Sequence, residues 1–109
     1  MTTELLSEDE VEIVRLVREF VDEQVKPVVG ELEHANTYPE ELIEGMKQMG
    51  IFGLAIPEPW GEAAVSLPAY CLVTEELARG WMSLAGAMGG HTVVAKLILA
   101  YGTQEQKDR

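Results

Sequence analysis

Cysteine, histidine and positive charge are all scarce in this chain. Cys71 is the single cysteine, so no internal disulfide can form, and a reducing, cytoplasmic setting is the expectation. The two histidines, His34 and His91, stand far apart, and no set of candidate ligands has a recognised metal spacing, so no metal is expected. Lys and Arg total 8 against 19 Asp and Glu, a formal charge of −11. A surface of that sign repels phosphate backbones and argues against nucleic acid as a partner. The imbalance is concentrated early: residues 1–50 hold 13 acidic and 4 basic side chains, residues 51–109 hold 6 and 4. The acidic start (Glu4, Glu8, Asp9, Glu10) lacks the basic and apolar regions of a signal peptide. Strand-like alternation, internal repeats and a phosphate-cradling or dinucleotide-binding glycine loop are also missing. The apolar stretch from Trp81 to Tyr101 includes His91, Lys96 and three glycines, which predicts a buried helix and no membrane span.

What is present is helical punctuation. Ser7-Glu-Asp-Glu10 has the form of a capping box. Behind it Val14, Val17, Val21 and Val25, with Ile13, Leu16 and Phe20, make a broad apolar stripe, predicting a helix from about Glu8 to Val25. Arg18–Asp22 and Asp22–Lys26 have the four-residue spacing of helical ion pairs. Pro27 places a kink or a new start after Lys26. A short helical piece to about His34 follows, then a boundary at Thr37-Tyr38-Pro39. The next helix carries Leu42, Ile43, Met46 and Met49 on its apolar side and stops at Gly50. Residues 51–67, with two prolines and two glycines between Ile51 and Gly61, predict a long irregular connection. Pro68 opens a fourth helix ending near Gly80, Ser83 caps a fifth running to Tyr101, and Thr103-Gln-Glu-Gln106 repeats the capping box. The expected fold is an all-α antiparallel bundle of about five helices. The surviving cap at Thr103 with little helix behind it predicts that the chain is one domain of a longer protein.

Several local patterns carry a resemblance, in register over nearly the whole chain. Tyr38-Pro39 precedes a helix, and Met49-Gly50-Ile51-Phe52-Gly53-Leu54 leads through Ile56-Pro57-Glu58 to Trp60-Gly61. Glu75-Glu76-Leu77-Ala78-Arg79 and Tyr101-Gly102-Thr103-Gln104-Glu105-Gln106-Lys107 follow. Together they resemble the N-terminal helical domain of the acyl-CoA dehydrogenases. In one place the chain departs from the family: Gly61-Glu62-Ala63-Ala64-Val65 stands where a glycine-rich run is usual. The resemblance implies a parent enzyme that uses FAD to oxidise acyl-CoA thioesters to 2,3-enoyl products, in fatty-acid or related acyl catabolism. It also implies a β-domain and a C-terminal helical domain that hold the flavin and the catalytic base, and a usually tetrameric homo-oligomer. No catalytic or cofactor-binding residue is assigned to residues 1–109, and the chain alone is expected to bind no flavin and to be inactive. The alternative is a non-catalytic helical module that pairs with another subunit of this kind.

Ala85-Gly86-Ala87-Met88-Gly89-Gly90 is the most pointed local feature. An interior helix glycine costs about 0.8–1.0 kcal/mol relative to alanine, so three in five positions require a reason. Close helix–helix contact is the favoured one and an open ligand groove the other. In the resembled family this helix lines the far end of the acyl pocket, which makes Ala85, Gly86 and Gly89 candidate wall residues for a long or bulky acyl chain. Glu75 and Glu76 are adjacent, so their side chains diverge by about 100°; pairing with Arg79 is expected, not acid–base chemistry. Glu58 is a possible polar contact and His34 a surface residue. His91 is expected to have a hydrogen-bonded packing role. Cys71 is expected to be a small buried hydrophobe, and Met46 and Met49 ordinary core. Trp60 and Trp81 are candidate contacts for other domains, with N–H groups that need partners.

Overall fold

Local capping and apolar periodicity set most of the architecture. The computed structural model describes residues 6–57, 59–61 and 64–109, and among these every regular element is helical. In order they are α1 (Glu8–Phe20), a π turn (Val21–Val25), α2 (Lys26–His34), α3 (Glu40–Gln48), a 3₁₀ turn (Ile51–Gly53), α4 (Leu67–Tyr101) and α5 (Gln104–Asp108). Both expected capping boxes form, at Ser7/Glu10 and at Thr103/Gln106.

The first helix does not run unbroken to Val25. The Lys26 N–H reaches back five residues to the Val21 carbonyl, so the ladder widens into a π turn just before Pro27. A proline ring crowds the carbonyl four residues earlier and lacks the N–H that would bond it, and a wider turn accommodates both without ending the helix. α2 ends with Asn36 at φ 55. The Thr37 N–H returns to the Leu32 carbonyl and the Asn36 N–H to that of Glu33, a Schellman arrangement. Gly50, at φ 76, stops α3 as its residue type predicts.

The fourth and fifth expected helices form one element with a break. Ser66, not Pro68, begins it, its hydroxyl accepting the Ala69 N–H. Trp81, at φ −160 and ψ 109, is extended inside the helix, so the division falls between Gly80 and Ser83, where the sequence places it. The two limbs fold back on one another, because the Tyr70 hydroxyl donates to Thr92 Oγ1 at 3.1 Å. Those residues would stand roughly 33 Å apart on a straight helix.

The core is drawn from α1, the π turn, α3, the 3₁₀ turn and α4, with Met46, Ile51, Leu77, Leu84, Met88 and Val73 fully enclosed. Trp81 belongs to this core at 9% exposure, and is not a contact reserved for other domains. Its Nε1 has no hydrogen-bond partner among the described residues. Met49 is 37% exposed and only Met46 of that pair is buried, since the helix has already turned Met49 toward its end. Cys71 is exposed, because Ala69 and Val73 take the inward face of α4 beside it.

The limb after the break is buried along one face only, through Leu84, Ala85, Met88 and Thr92, and not all round as its composition predicts. Met82, Val93, Val94, Leu97, Ile98 and Tyr101 are all exposed. By length and composition α4 is long and apolar enough to cross a membrane. Its ladder is interrupted midway at Trp81, and lipid-facing backbone must be satisfied within the helix. The molecule is a slab of 42 × 35 × 20 Å with a radius of gyration of 14.6 Å, against about 13 Å for a compact chain of this length. One apolar side of that slab is left uncovered.

Candidate functional site

The small-residue segment divides according to what each position faces. Ala85 is buried in the core at 8% exposure. Gly86 is exposed and Gly89 half-buried. A Cβ built on Gly86, Gly89 or Gly90 would meet nothing within 4 Å. Close contact with another helix of this chain, the favoured explanation, is therefore absent there. The tight crossing lies at Gly80, where a Cβ would stand 2.6 Å from Val21 Cγ1 and 3.2 Å from Val25 Cγ1. No sequence signal distinguished Gly80 from the others, because the partner lies some 55 to 60 residues earlier in α1's continuation.

Gly89 lines a recess of about 320 Å³ between the two limbs of α4 and the irregular connection. Ala55, Leu67 and Val93 supply apolar wall, and Tyr70, Thr92 and Lys96 supply polar atoms. Gly89, Thr92, Val93 and Lys96 share one face of the second limb, as their spacings of three, four and seven dictate. Sequence inspection singled out Gly89 and missed the rest, since Tyr70 joins them only through the fold-back at Trp81. His91 lies on another side of the helix, edge-on to the Phe52 ring with centroids 5.2 Å apart; it packs there and makes no hydrogen bond among the described residues. Trp60 Nε1 donates to Asp108 at 3.4 Å. Glu58, Glu62 and Ala63 lie outside the described residues, so the altered loop and the suggested Glu58 contact cannot be placed.

The carboxylates form ties between helices and not an acid–base pair. Glu76, 8% exposed, accepts a fork from Arg18 at 3.2 and 3.3 Å and further bonds from Arg79 at 3.0 and 3.2 Å. Arg79 also reaches Asp22 at 3.0 Å, and Asp22 holds Lys26 at 3.4 Å. The network joins α1, the π turn and α4. It replaces the expected Arg18–Asp22 pair, because α4 brings Glu76 within reach of Arg18, and Glu75 points outward. Burial pushes the Glu76 carboxyl upward, but the hydrogen bonds and charges of Arg18 and Arg79 outweigh it and hold the carboxyl below its ordinary 4.5. Glu10 works similarly at the surface, bonding the Ser66 and Ser7 N–H groups. Those two bonds lower its pKa and tie the start of α1 to the start of α4.

A carboxyl whose folded-state pKa is depressed stabilises above its unfolded value and loses that contribution as pH falls through the folded one. Glu76→Gln should therefore lose about 1–3 kcal/mol at neutral pH, with the difference from the parent shrinking on acidification well under 4.5. Thermal melts of both proteins across that range check this, and a difference independent of pH would contradict it.

Among the described residues the domain is all helical, with an apolar face on the second limb of α4 left exposed and a small recess beside Gly89. The family model "Acyl-CoA dehydrogenase, N-terminal domain" matches residues 7–109, and the chain belongs to that family. It is 38% identical over 109 residues to a (2S)-methylsuccinyl-CoA dehydrogenase of Cereibacter sphaeroides, covering 92% of this chain and 19% of that protein. It is 35% identical over 80 residues to a benzylmalonyl-CoA dehydrogenase of Aromatoleum aromaticum, covering 73% of this chain and 21% of the relative. Among solved structures, butyryl-CoA dehydrogenase of Megasphaera elsdenii superposes with a TM-score of 0.83 at 27% identity, over 94% of this chain and 28% of that one. The chain thus spans about a fifth to a quarter of its relatives.

Proposed function

We propose that the protein carrying this domain is an FAD-dependent acyl-CoA dehydrogenase that oxidises acyl-CoA thioesters to 2,3-enoyl-CoA products. The domain's part in that proposal is to wall the acyl-chain pocket, with Gly89 and Gly86 leaving room where a larger side chain would shorten it. Ala85 backs them from the core. The single supporting observation is the Gly89 recess, lying on a limb whose apolar face this chain leaves uncovered, in a member of this family.

The flavin and the catalytic base would be held by the β-domain and C-terminal helical domain of the parent. Bound flavin would accept the hydride; this domain would exclude water and orient the acyl tail. The remaining apolar surface of α4 would meet those domains or neighbouring subunits of a homo-oligomer, as large contiguous apolar patches do. A cytoplasmic location, suggested by the lone cysteine, belongs to the same proposal.

The test uses the full-length protein. It should purify with flavin absorbance and reduce an artificial electron acceptor with acyl-CoA substrates. Gly89→Glu should then lower the ratio of kcat/KM for bulky or long acyl groups over short ones by at least about tenfold, as filling an apolar pocket does. An unchanged preference across an acyl-chain series would sink the wall assignment, and a full-length protein without flavin would sink the whole reading.

A further inference from the structure

We propose that the recess beside Gly89 receives a carboxylate at the far end of the acyl group, so that the preferred substrates are mono-CoA thioesters of dicarboxylic acids. This rests on the reading of the domain as a pocket wall and names the substrate class for that same site.

The argument starts from what lines the recess. On an apolar background of Ala55, Leu67 and Val93 stand one ammonium group, Lys96, and two hydroxyls, those of Tyr70 and Thr92. No carboxylate is among the described lining residues, and Lys96 has no ion-pair partner among the described residues. Arg15, Arg18, Lys26, Lys47 and Arg79 each hold at least one acidic partner, whereas Lys96, like Lys107 and Arg109 at the end of the chain, holds none among the described residues, and of these three only Lys96 lines this recess. An isolated ammonium beside an apolar recess suits an anion from elsewhere.

The hydroxyls are arranged to the same end. The Tyr70 O–H is spent on Thr92 Oγ1 at 3.1 Å. That leaves the Thr92 hydrogen to donate onward, and the chain of two bonds strengthens the second donor. Lys96 stands one helical turn beyond Thr92 on the same face, and both line the recess. A carboxylate has two oxygens and accepts from both. A neutral methyl terminus would leave the ammonium and the hydroxyl without partners on closure of the pocket, a penalty that discriminates strongly between such substrates.

The experiment measures kcat/KM of the full-length protein for succinyl- and methylsuccinyl-type thioesters bearing a free carboxylate, and for the same thioesters with that carboxyl methyl-esterified. Binding of both sets is followed in parallel by calorimetry. The free acids are expected to be preferred, and in Lys96→Met the preference ratio should fall at least about tenfold, as for loss of a charge-assisted bond. Lys96→Arg should retain most of it. Lys96 is exposed, so neither variant endangers folding. Turnover of esters and free acids alike, or a Lys96→Met ratio equal to the parent's, overturns this inference while leaving the dehydrogenase reading in place. A full-length protein that oxidises no acyl-CoA at all overturns both.

Discussion

Trp81→Ala is expected to cost about 3–5 kcal/mol of folding free energy, a large part of the roughly 5–15 kcal/mol available to a domain of this kind. The backbone at φ −160 and ψ 109 is extended, which alanine adopts without strain, so the loss is attributable to the ring. The indole closes the core where the two limbs of α4 turn back on each other, packed within the cluster that includes Leu77, Leu84 and Val21. Removing it opens a void at the hinge itself, and the hydrogen bond from Tyr70 to Thr92 loses the support that keeps the limbs together. Trp81→Phe makes a revealing contrast. It removes some apolar area but also removes an N–H buried without a partner, whose burial costs about 1–3 kcal/mol. The two terms oppose, so the phenylalanine variant should stay within about 1.5 kcal/mol of the parent. Thermal and urea unfolding, followed by helical circular dichroism, separate the variants. A parent-like melting temperature for Trp81→Ala would show that the ring is not holding the hinge.

Gly80→Ala and Gly86→Ala should move stability in opposite directions, although both put one methyl group on the same helix. At Gly80 the new Cβ would approach Val21 Cγ1 to 2.6 Å, and Val21 is fully buried, short and branched, with no room to rotate away. Relief requires the α1–α4 crossing to open, and overpacking of this kind costs about 1–3 kcal/mol, more than alanine's helical advantage restores. At Gly86 nothing lies within 4 Å, so the substitution should stabilise by up to about 1 kcal/mol. At roughly 4–8 °C per kcal/mol, the two melting temperatures should differ by several degrees, with Gly80→Ala the lower. Equal shifts would mean that the crossing at Gly80 is not tight.

The sites were legible to different depths. Gly89 stood out in the sequence because three glycines in five helical positions contradict helix propensity. Its neighbours in the recess did not, since Tyr70 and Thr92 are 22 residues apart and carry no shared local pattern. Glu76 was correctly paired with Arg79 by spacing, and its second partner, Arg18, 58 residues away, had no local signature. The glycine segment was expected to mark a tight helix contact, and the tight contact is instead at Gly80. Both positions obey the same rule of absent side chains, but only the partner helix decides where the rule applies.

The sequence by itself determined the helical class, the caps at Ser7 and Thr103, the stop at Gly50 and the inward stripe of α1. Each of these depends on groups within a few residues of one another, where backbone geometry leaves few choices. Pro27 and the Gly80–Ser83 stretch also marked in the sequence where the helices are interrupted. Tertiary structure alone decided the partners of Arg18 and which face of the limb from 82 to 101 is left exposed. The physical reason is common to both. The local chain tolerates more than one outcome at each place, and the free energy that selects among them comes from side chains brought together across long stretches of sequence.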